Sequence, residues 1–123
     1  MVAGPEYTKL YAKHSKFAQH YYGCITALDE QVGRLRKELR TLGIADNTLV
    51  TFCSDNGPEG NASAPGSAGH FSGRKRSLLE GGIRVPGLVE WPAKIKSGVT
   101  AIPAVTSDYL PTILDLIGVK RTN

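Results

Sequence analysis

Thr48-Leu49-Val50-Thr51-Phe52-Cys53-Ser54-Asp55-Asn56-Gly57 is the stretch on which the fold turns. Residues 48–54 are mostly β-branched, aromatic or otherwise apolar, and contain neither Gly nor Pro, which predicts a buried strand. Upstream, Phe17, Tyr21, Ile25, Leu28, Val32, Leu35, Leu39 and Leu42 recur at three- and four-residue steps, the signature of one face of an amphipathic helix from about Ser15 to Leu42. Ser15 can cap its start and Gly43 can end it. Gly23 and Gly33 each cost such a helix about 1 kcal/mol relative to alanine, so close packing against a neighbour is expected to hold it together. Residues 4–14 continue the pattern through Leu10 and Tyr11 without fixing their own state. A long helix entering a buried strand through the short turn Ile44-Ala45-Asp46-Asn47 predicts an α/β unit with a largely parallel sheet. In such sheets ligands bind beyond the carboxyl ends of strands, where this chain has Asp55, Asn56 and Gly57.

Downstream, residues 57–73 are almost entirely Gly, Pro, Ser, Ala and Asn, a loop longer than compact domains usually hold without a functional reason. Ile83 to Trp91 predicts a second strand, and Pro86 makes it an edge or irregular one. Ser107 to Ile117 predicts a short helix capped by Ser107, with Pro111 near its first turn and Gly118 at its end. Two or three strands fall short of the roughly five of an ordinary sheet, so the chain is expected to be part of a larger domain. There is no internal repeat.

The composition limits the classes. With 123 residues, 41% hydrophobic content and a net charge of +4, the chain is neither disordered nor fibrous. No run approaches the roughly 20 apolar residues of a membrane span, and Met1 to Tyr11 lacks the basic-then-apolar order of a signal peptide. Arg34, Arg36, Lys37 and Arg40, interleaved with Glu38, read as a solvated helix face. Arg74, Lys75, Arg76 and Arg84 lie among glycines, where that explanation does not apply; their charge suits any anionic partner. Cys24 and Cys53 lack CxxC spacing and read as small buried hydrophobes.

Asp55-Asn56 offers a carboxylate and an amide carbonyl, two hard oxygens suited to Ca²⁺ or Mg²⁺. Asp-Asn-Gly is equally a tight-turn sequence, and both readings stand on these three residues. A metal would need four or more further ligands from elsewhere. Lys75 can set a compact ammonium against an oxyanion, or be surface charge. Glu80 and Arg84 are spaced to pair. His70, in the flexible loop, reads as exposed, and Asn61-Ala62-Ser63 matches the glycosylation acceptor pattern, which is common by chance. Asp29 and Glu30 read as polar-face residues.

Six motifs then fall in order. They are Leu28-Asp29-Glu30-Gln31-Val32-Gly33-Arg34-Leu35, Asp46-Asn47-Thr48-Leu49-Val50, Ser54-Asp55-Asn56-Gly57, residues 73–86 (Gly73-Arg74-Lys75-Arg76-Ser77-Leu78-Leu79-Glu80-Gly81-Gly82-Ile83-Arg84-Val85-Pro86), Trp91-Pro92 and Asp108-Tyr109-Leu110-Pro111-Thr112-Ile113-Leu114. From about Tyr21 to Val119 the chain resembles the carboxy-terminal part of the sulfatase catalytic domain, so residues 1–123 are expected to form part of that domain. The resemblance implies an alkaline-phosphatase-like α/β fold, here partial: long helix, buried strand, Gly-rich loop, edge strand and short helix. It implies hydrolysis of a sulfuric ester, with Asp55 and Asn56 binding a divalent metal, Ca²⁺ or alternatively Mg²⁺. By the same resemblance Lys75 contacts the sulfate group and the leaving-group oxygen, as both a catalytic and a substrate-binding residue, while Glu80 and Arg84 hold the loop. The implied partner is a sulfated small molecule or glycan, with no nucleic acid and no membrane span, acting in a periplasmic, extracellular or lysosomal space.

The departures from the family pattern bear on activity. The family's formylglycine arises in a Cys/Ser-x-Pro-x-Arg motif, whereas Cys24 is followed by Ile25-Thr26-Ala27 and Cys53 by Ser54-Asp55-Asn56. The amino-terminal half of the domain, with its paired metal-binding aspartates and its upstream histidines and lysine, is also missing, so this chain alone is expected to be inactive. His70 and Ser72 stand where relatives often have proline and arginine, and neither receives a catalytic role. The alternatives are a phosphate or phosphonate ester hydrolase of the same superfamily and a non-catalytic remnant.

Overall fold

The computed structural model describes residues 2–119. Pro5, with its preset φ, opens a one-turn helix α1 (Pro5–Thr8), which continues as a 3₁₀ turn over Lys9–Tyr11. Within residues 4–14, unassigned from sequence, residues 5–11 thus form a helical arm. The long helix α2 (Lys16–Thr41) follows the apolar periodicity almost residue for residue. Ser15 caps it, its side chain accepting from the Ala18 amide at 3.3 Å. Gly43, at φ +69°, ends it, and the Gly43 and Ile44 amides donate back to the carbonyls of Arg40 and Leu39 at 3.0 Å.

The two helical glycines differ in purpose. Gly23 is buried, and a Cβ there would lie 2.8 Å from the Ala3 Cβ, so its absence lets the amino-terminal arm lie against α2. The Tyr7 hydroxyl donates to Glu30 Oε2 at 2.7 Å, and the Tyr11 and Thr26 hydroxyls share a 2.6 Å bond. Gly33 meets nothing within 4 Å. The packing expected of both glycines is found only at Gly23.

After a 3₁₀ turn over Ala45–Asn47 come β1 (Val50–Cys53), a long irregular segment, a single helical turn α3 (Glu80–Ile83) and β2 (Gly87–Glu90). The strands pair antiparallel, Val50 opposite Glu90 and Cys53 opposite Gly87. This corrects the expected parallel sheet. A parallel return needs a crossover long enough to span the strand, usually a helix, and the only helix between the strands is the four-residue α3. The second strand is also shorter than expected: Ile83 belongs to α3, and β2 begins only after Pro86. β1 is not buried either, since Thr51, Phe52 and Cys53 are exposed. Cys24 is half-buried and Cys53 exposed beside Tyr109, against the reading of both as buried hydrophobes.

Two contacts tie the sheet to α2. Arg36 makes a bidentate pair with Glu90, at 2.7 and 2.9 Å. The Trp91 indole donates to the Asp46 carbonyl at 2.8 Å. A 3₁₀ turn over Thr106–Asp108 leads into α4 (Tyr109–Leu116), with Pro111 in its first turn and Gly118 at φ +72° beyond its end. The side chain at the turn is not the expected Ser107: Asp108 Oδ2 accepts from the Val105 amide at 2.8 Å. No helix among the described residues is long and apolar enough to cross a membrane.

Burial is concentrated in an unusual place. The buried positions among the described residues are Ala3, Gly23, Gly57, Gly81 and Gly82. Much of the apolar stripe of α2 is open, with Phe17 65% and Leu42 66% exposed. The most tightly enclosed backbone is therefore the glycine crossing just beyond β1.

Candidate functional site

Three segments meet beyond the carboxyl end of β1: residues 54–58, residues 72–77 and the α3 turn. The Gly57 amide donates to the Gly82 carbonyl at 2.8 Å, the Lys75 amide to the Pro58 carbonyl at 3.1 Å, and the Gly81 amide to the Ser72 carbonyl at 2.7 Å. The Ser54 amide donates to the Pro86 carbonyl at 3.2 Å, extending the crossing to the start of β2. Only glycine permits these approaches. A Cβ on Gly57 would run into the Gly81 carbonyl, one on Gly81 into the Gly73 carbonyl, and one on Gly82 into the Ser77 carbonyl. Gly81 and Gly82, in the α3 turn, are the pivot of the crossing.

Asp55 is exposed and Asn56 half-buried at this junction. Asn56 Nδ2 donates to the Gly57 carbonyl at 2.9 Å, and since a carbonyl can only accept, the amide oxygen faces away from it. Among the described residues no cation lies within 4.0 Å of the Asp55 carboxylate. Asp55 and Asn56 therefore present two hard oxygens, a donor set that fits Ca²⁺ or Mg²⁺ in kind. In number it is incomplete, for no group of three or more His, Cys, Asp or Glu among the described residues could hold a metal ion.

Lys75 occupies the second position of a tight turn closed by the Ser77 amide on the Arg74 carbonyl at 2.9 Å. Arg76, in the third position, has φ +74° and is the one non-glycine residue among those described with positive φ, a conformation that ordinarily calls for Gly or Asn. The side chains of this basic triplet converge on one residue that sequence reasoning passed over. Glu59 forms an ion pair with Arg76 and lies 3.7 Å from Lys75 Nζ, while its backbone carbonyl accepts from Arg74 Nη2 at 2.9 Å. Its carboxylate also accepts from the Gly60 amide at 3.0 Å. The Arg76 guanidinium, then the Gly60 amide, hold the Glu59 carboxyl below its usual range. A signal was available, because Glu59 is the only carboxylate in residues 57–73.

The loop is anchored at two more points. Gly66, at φ +91°, sits under the Tyr21 hydroxyl, where a Cβ would lie 2.5 Å from that oxygen, and Arg74 Nη1 donates to the Gly66 carbonyl at 3.2 Å. Arg84 pairs with Glu80 at 3.0 Å and lies 4.8 Å over the Phe71 ring, a cation–π contact that ties α3 to the loop. Glu80 and Arg84 thus hold the loop as the family resemblance implied. His70 is exposed and packs its ring 4.1 Å from that of Phe71.

The model of the family described as Sulfatase matches residues 2–119, so the match takes in the amino-terminal arm as well as the six motifs. Human arylsulfatase A is 41% identical over 97 residues, covering 78% of this chain and 19% of its own length. Mouse steryl-sulfatase is 39% identical over 107 residues, covering 81% and 17%. The N-acetylglucosamine-6-O-sulfatase of Bacteroides thetaiotaomicron is 33% identical over 109 residues, covering 88% and 18%. The chain thus spans about a fifth of the length of these relatives. The crystal structure of Ps i-CgsB in complex with k-i-k-neocarrahexaose superposes with a TM-score of 0.88 at 34% identity, over 98% of this chain and 27% of that one. A partial alkaline-phosphatase-like α/β fold, a glycine crossing beyond β1 and a family match over nearly the whole sequence lead to one statement: this chain belongs to the sulfatase family.

Proposed function

We propose that the complete protein carrying this chain hydrolyses a sulfate ester, and that the chain supplies part of the catalytic domain: two metal ligands, Asp55 and Asn56, and an anion-contacting cation, Lys75. The observation that carries this reading is the crossing itself. Residues 55–58 are hydrogen-bonded to Gly82 on one side and to the Lys75 amide on the other, so the hard-oxygen pair and the ammonium are built on one rigid piece of backbone. A bound Ca²⁺ or Mg²⁺ would supply Lewis-acid polarisation of the sulfate oxygens. The Asp55 carboxylate and the Asn56 amide oxygen would hold that cation from the β1 side. Lys75 would set its ammonium against the sulfate and the oxygen of the departing alcohol, where negative charge grows as the ester bond breaks. The nucleophile expected from the family, formylglycine, has no Cys/Ser-x-Pro-x-Arg motif in these 123 residues, so the chain by itself is read as inactive. As substrate we infer a sulfated small molecule or glycan, in keeping with the neocarrahexaose held by the similar solved structure.

The test is turnover of an aryl sulfate by the complete protein. Lys75→Ala is expected to lower kcat about 10²- to 10³-fold, the usual cost of removing one group that stabilises a developing oxyanion. Asp55→Ala is expected to abolish the dependence of activity on added calcium. Hydrolysis of aryl phosphates with none of aryl sulfates would overturn the reading in favour of a phosphate ester hydrolase.

A further inference from the structure

We propose that Glu59 is a positioning residue for Lys75: its carboxylate and its backbone carbonyl together collect the side chains of Arg74, Lys75 and Arg76 and so fix the direction in which the Lys75 ammonium is presented. This rests on the reading of Lys75 as the anion-contacting group.

Three consecutive basic side chains at the tip of a tight turn repel one another and would ordinarily splay into solvent. Here they do not. Arg76 pairs with the Glu59 carboxylate, Lys75 Nζ stands 3.7 Å from its other oxygen, and Arg74 reaches the Glu59 carbonyl at 2.9 Å and the Gly66 carbonyl at 3.2 Å. The backbone joins in, because the Lys75 amide donates to Pro58, the residue preceding Glu59. Glu59 is in turn fixed by the Gly60 amide and by the left-handed Gly60, at φ +82°. Arg76 holds a positive φ that costs a non-glycine residue free energy, and its side chain is directed from that turn onto Glu59.

The unequal contacts of Glu59 fit positioning rather than neutralisation. Arg76 pairs directly with the carboxylate and is 73% exposed on its side chain, whereas Lys75 Nζ stands 3.7 Å from it and is 37% exposed. Arg76 therefore anchors the carboxylate, and Lys75 lies alongside it, steered but free to engage an incoming anion. A sulfate group, with its three terminal oxygens, competes for the ammonium without dismantling the Glu59–Arg76 pair.

The experiment is run on the complete protein in two arms. In the first, turnover of an aryl sulfate is measured for Glu59→Gln, Lys75→Ala and the double variant. Glu59→Gln is expected to lower kcat about tenfold to a hundredfold, the cost of misplacing a catalytic group by about an ångström. The double variant is expected to be no slower than Lys75→Ala alone, since the effects of groups acting through one another do not add. Multiplicative losses, or an unimpaired Glu59→Gln, would overturn the proposal. In the second arm, acetylation of each lysine is followed by peptide mass spectrometry, with Glu59→Asp as a further variant should Glu59→Gln fold poorly. Lys75 is expected to react several-fold faster in either variant while Lys94 and Lys96 keep their rates; an unchanged Lys75 rate would also overturn it. A wild-type protein that leaves sulfate esters intact would count against the proposed function, while the labelling arm would still decide whether Glu59 holds Lys75.

Discussion

Gly81 has no room for a methyl group. Its added Cβ would run into the carbonyl of Gly73 and approach that of Ser72, backbone atoms that cannot rotate away as a side-chain end can. Gly81→Ala is therefore expected to destabilise the complete protein by about 1–3 kcal/mol, the usual cost of overpacking, and to lower activity by displacing the Lys75 turn. Gly33 is the control. Nothing lies within 4 Å of its added Cβ and it sits inside α2, so Gly33→Ala should raise the helicity of this 123-residue chain, by circular dichroism, with a gain of about 1 kcal/mol in helix stability. A Gly81→Ala protein with an unchanged thermal midpoint would mean that the crossing is loose. At this scale Asp55, Asn56 and Lys75 were legible as candidates because their chemistry is carried by residue type: two hard oxygens after a strand, one compact ammonium after glycines. Glu59 was not, since its bond to Arg76 spans 17 positions and no periodicity links a loop carboxylate to a turn that distant.

At the scale of elements, the single side-chain ion pair between α2 and β2 among the described residues is Arg36 with Glu90. Arg36, by its hydrogen bond and its charge, holds the Glu90 carboxyl below its usual range, with a smaller contribution from Arg40. A carboxyl lowered on folding contributes stability that is fully present above its unfolded value, about 4.3 for glutamate, and is lost as pH falls through the lower folded value. The α2–β2 contact is thus expected to persist at neutral pH and to loosen only below about pH 4, and to weaken with added salt because both side chains are partly exposed. Amide exchange of Leu88 and Val89, corrected for the intrinsic pH dependence of exchange, should quicken across that range in the wild type, whereas in Glu90→Gln the corrected rate should be fast and flat with pH. Exchange that quickens in both alike would assign the acid sensitivity to another group. The long helix was the legible element: the 3.6-residue period of α2 runs through seven turns, so its apolar spacing specifies it on its own, whereas the single turns α1 and α3 carry no such period. The strand pairing was not, because an apolar run such as 48–54 says that a strand exists and leaves its partner's direction to the path of the connection, here an irregular segment with no spanning helix.

For the molecule as a whole, the decisive quantity is surface. A compact monomer of 13.2 kDa exposes roughly 6,400 Å² by the area–mass relation for folded proteins. This chain exposes 9937 Å², about half as much again, and the one buried hydrophobic side chain among the described residues is that of Ala3. The excess comes from faces built to be covered, including the stripe of α2 with Phe17, Ile25, Leu28, Leu35 and Leu42 all at or above 48% exposure. A span of about a fifth of its sulfatase relatives' length accords with that deficit of burial. Hydrophobic burial is the main term opposing chain entropy, and a structure that forgoes over a quarter of its expected burial, roughly 3,500 of 12,700 Å² by the same area–mass relations, is not expected to fold by an ordinary two-state transition. The isolated 123-residue chain is therefore expected to bind a hydrophobic dye strongly at neutral pH and to lose its helical signal over a broad temperature range. A sharp melt with an enthalpy near 80 kcal/mol, typical of a compact domain of this length, together with weak dye binding, would show that the chain covers these faces by itself. With the faces covered, α2 and β1 are held still, and through the backbone bonds at Gly57, Pro58 and Gly82 so are Asp55, Asn56 and Lys75; on the proposed roles of these residues, the geometry of the crossing depends on apolar contacts made far from it.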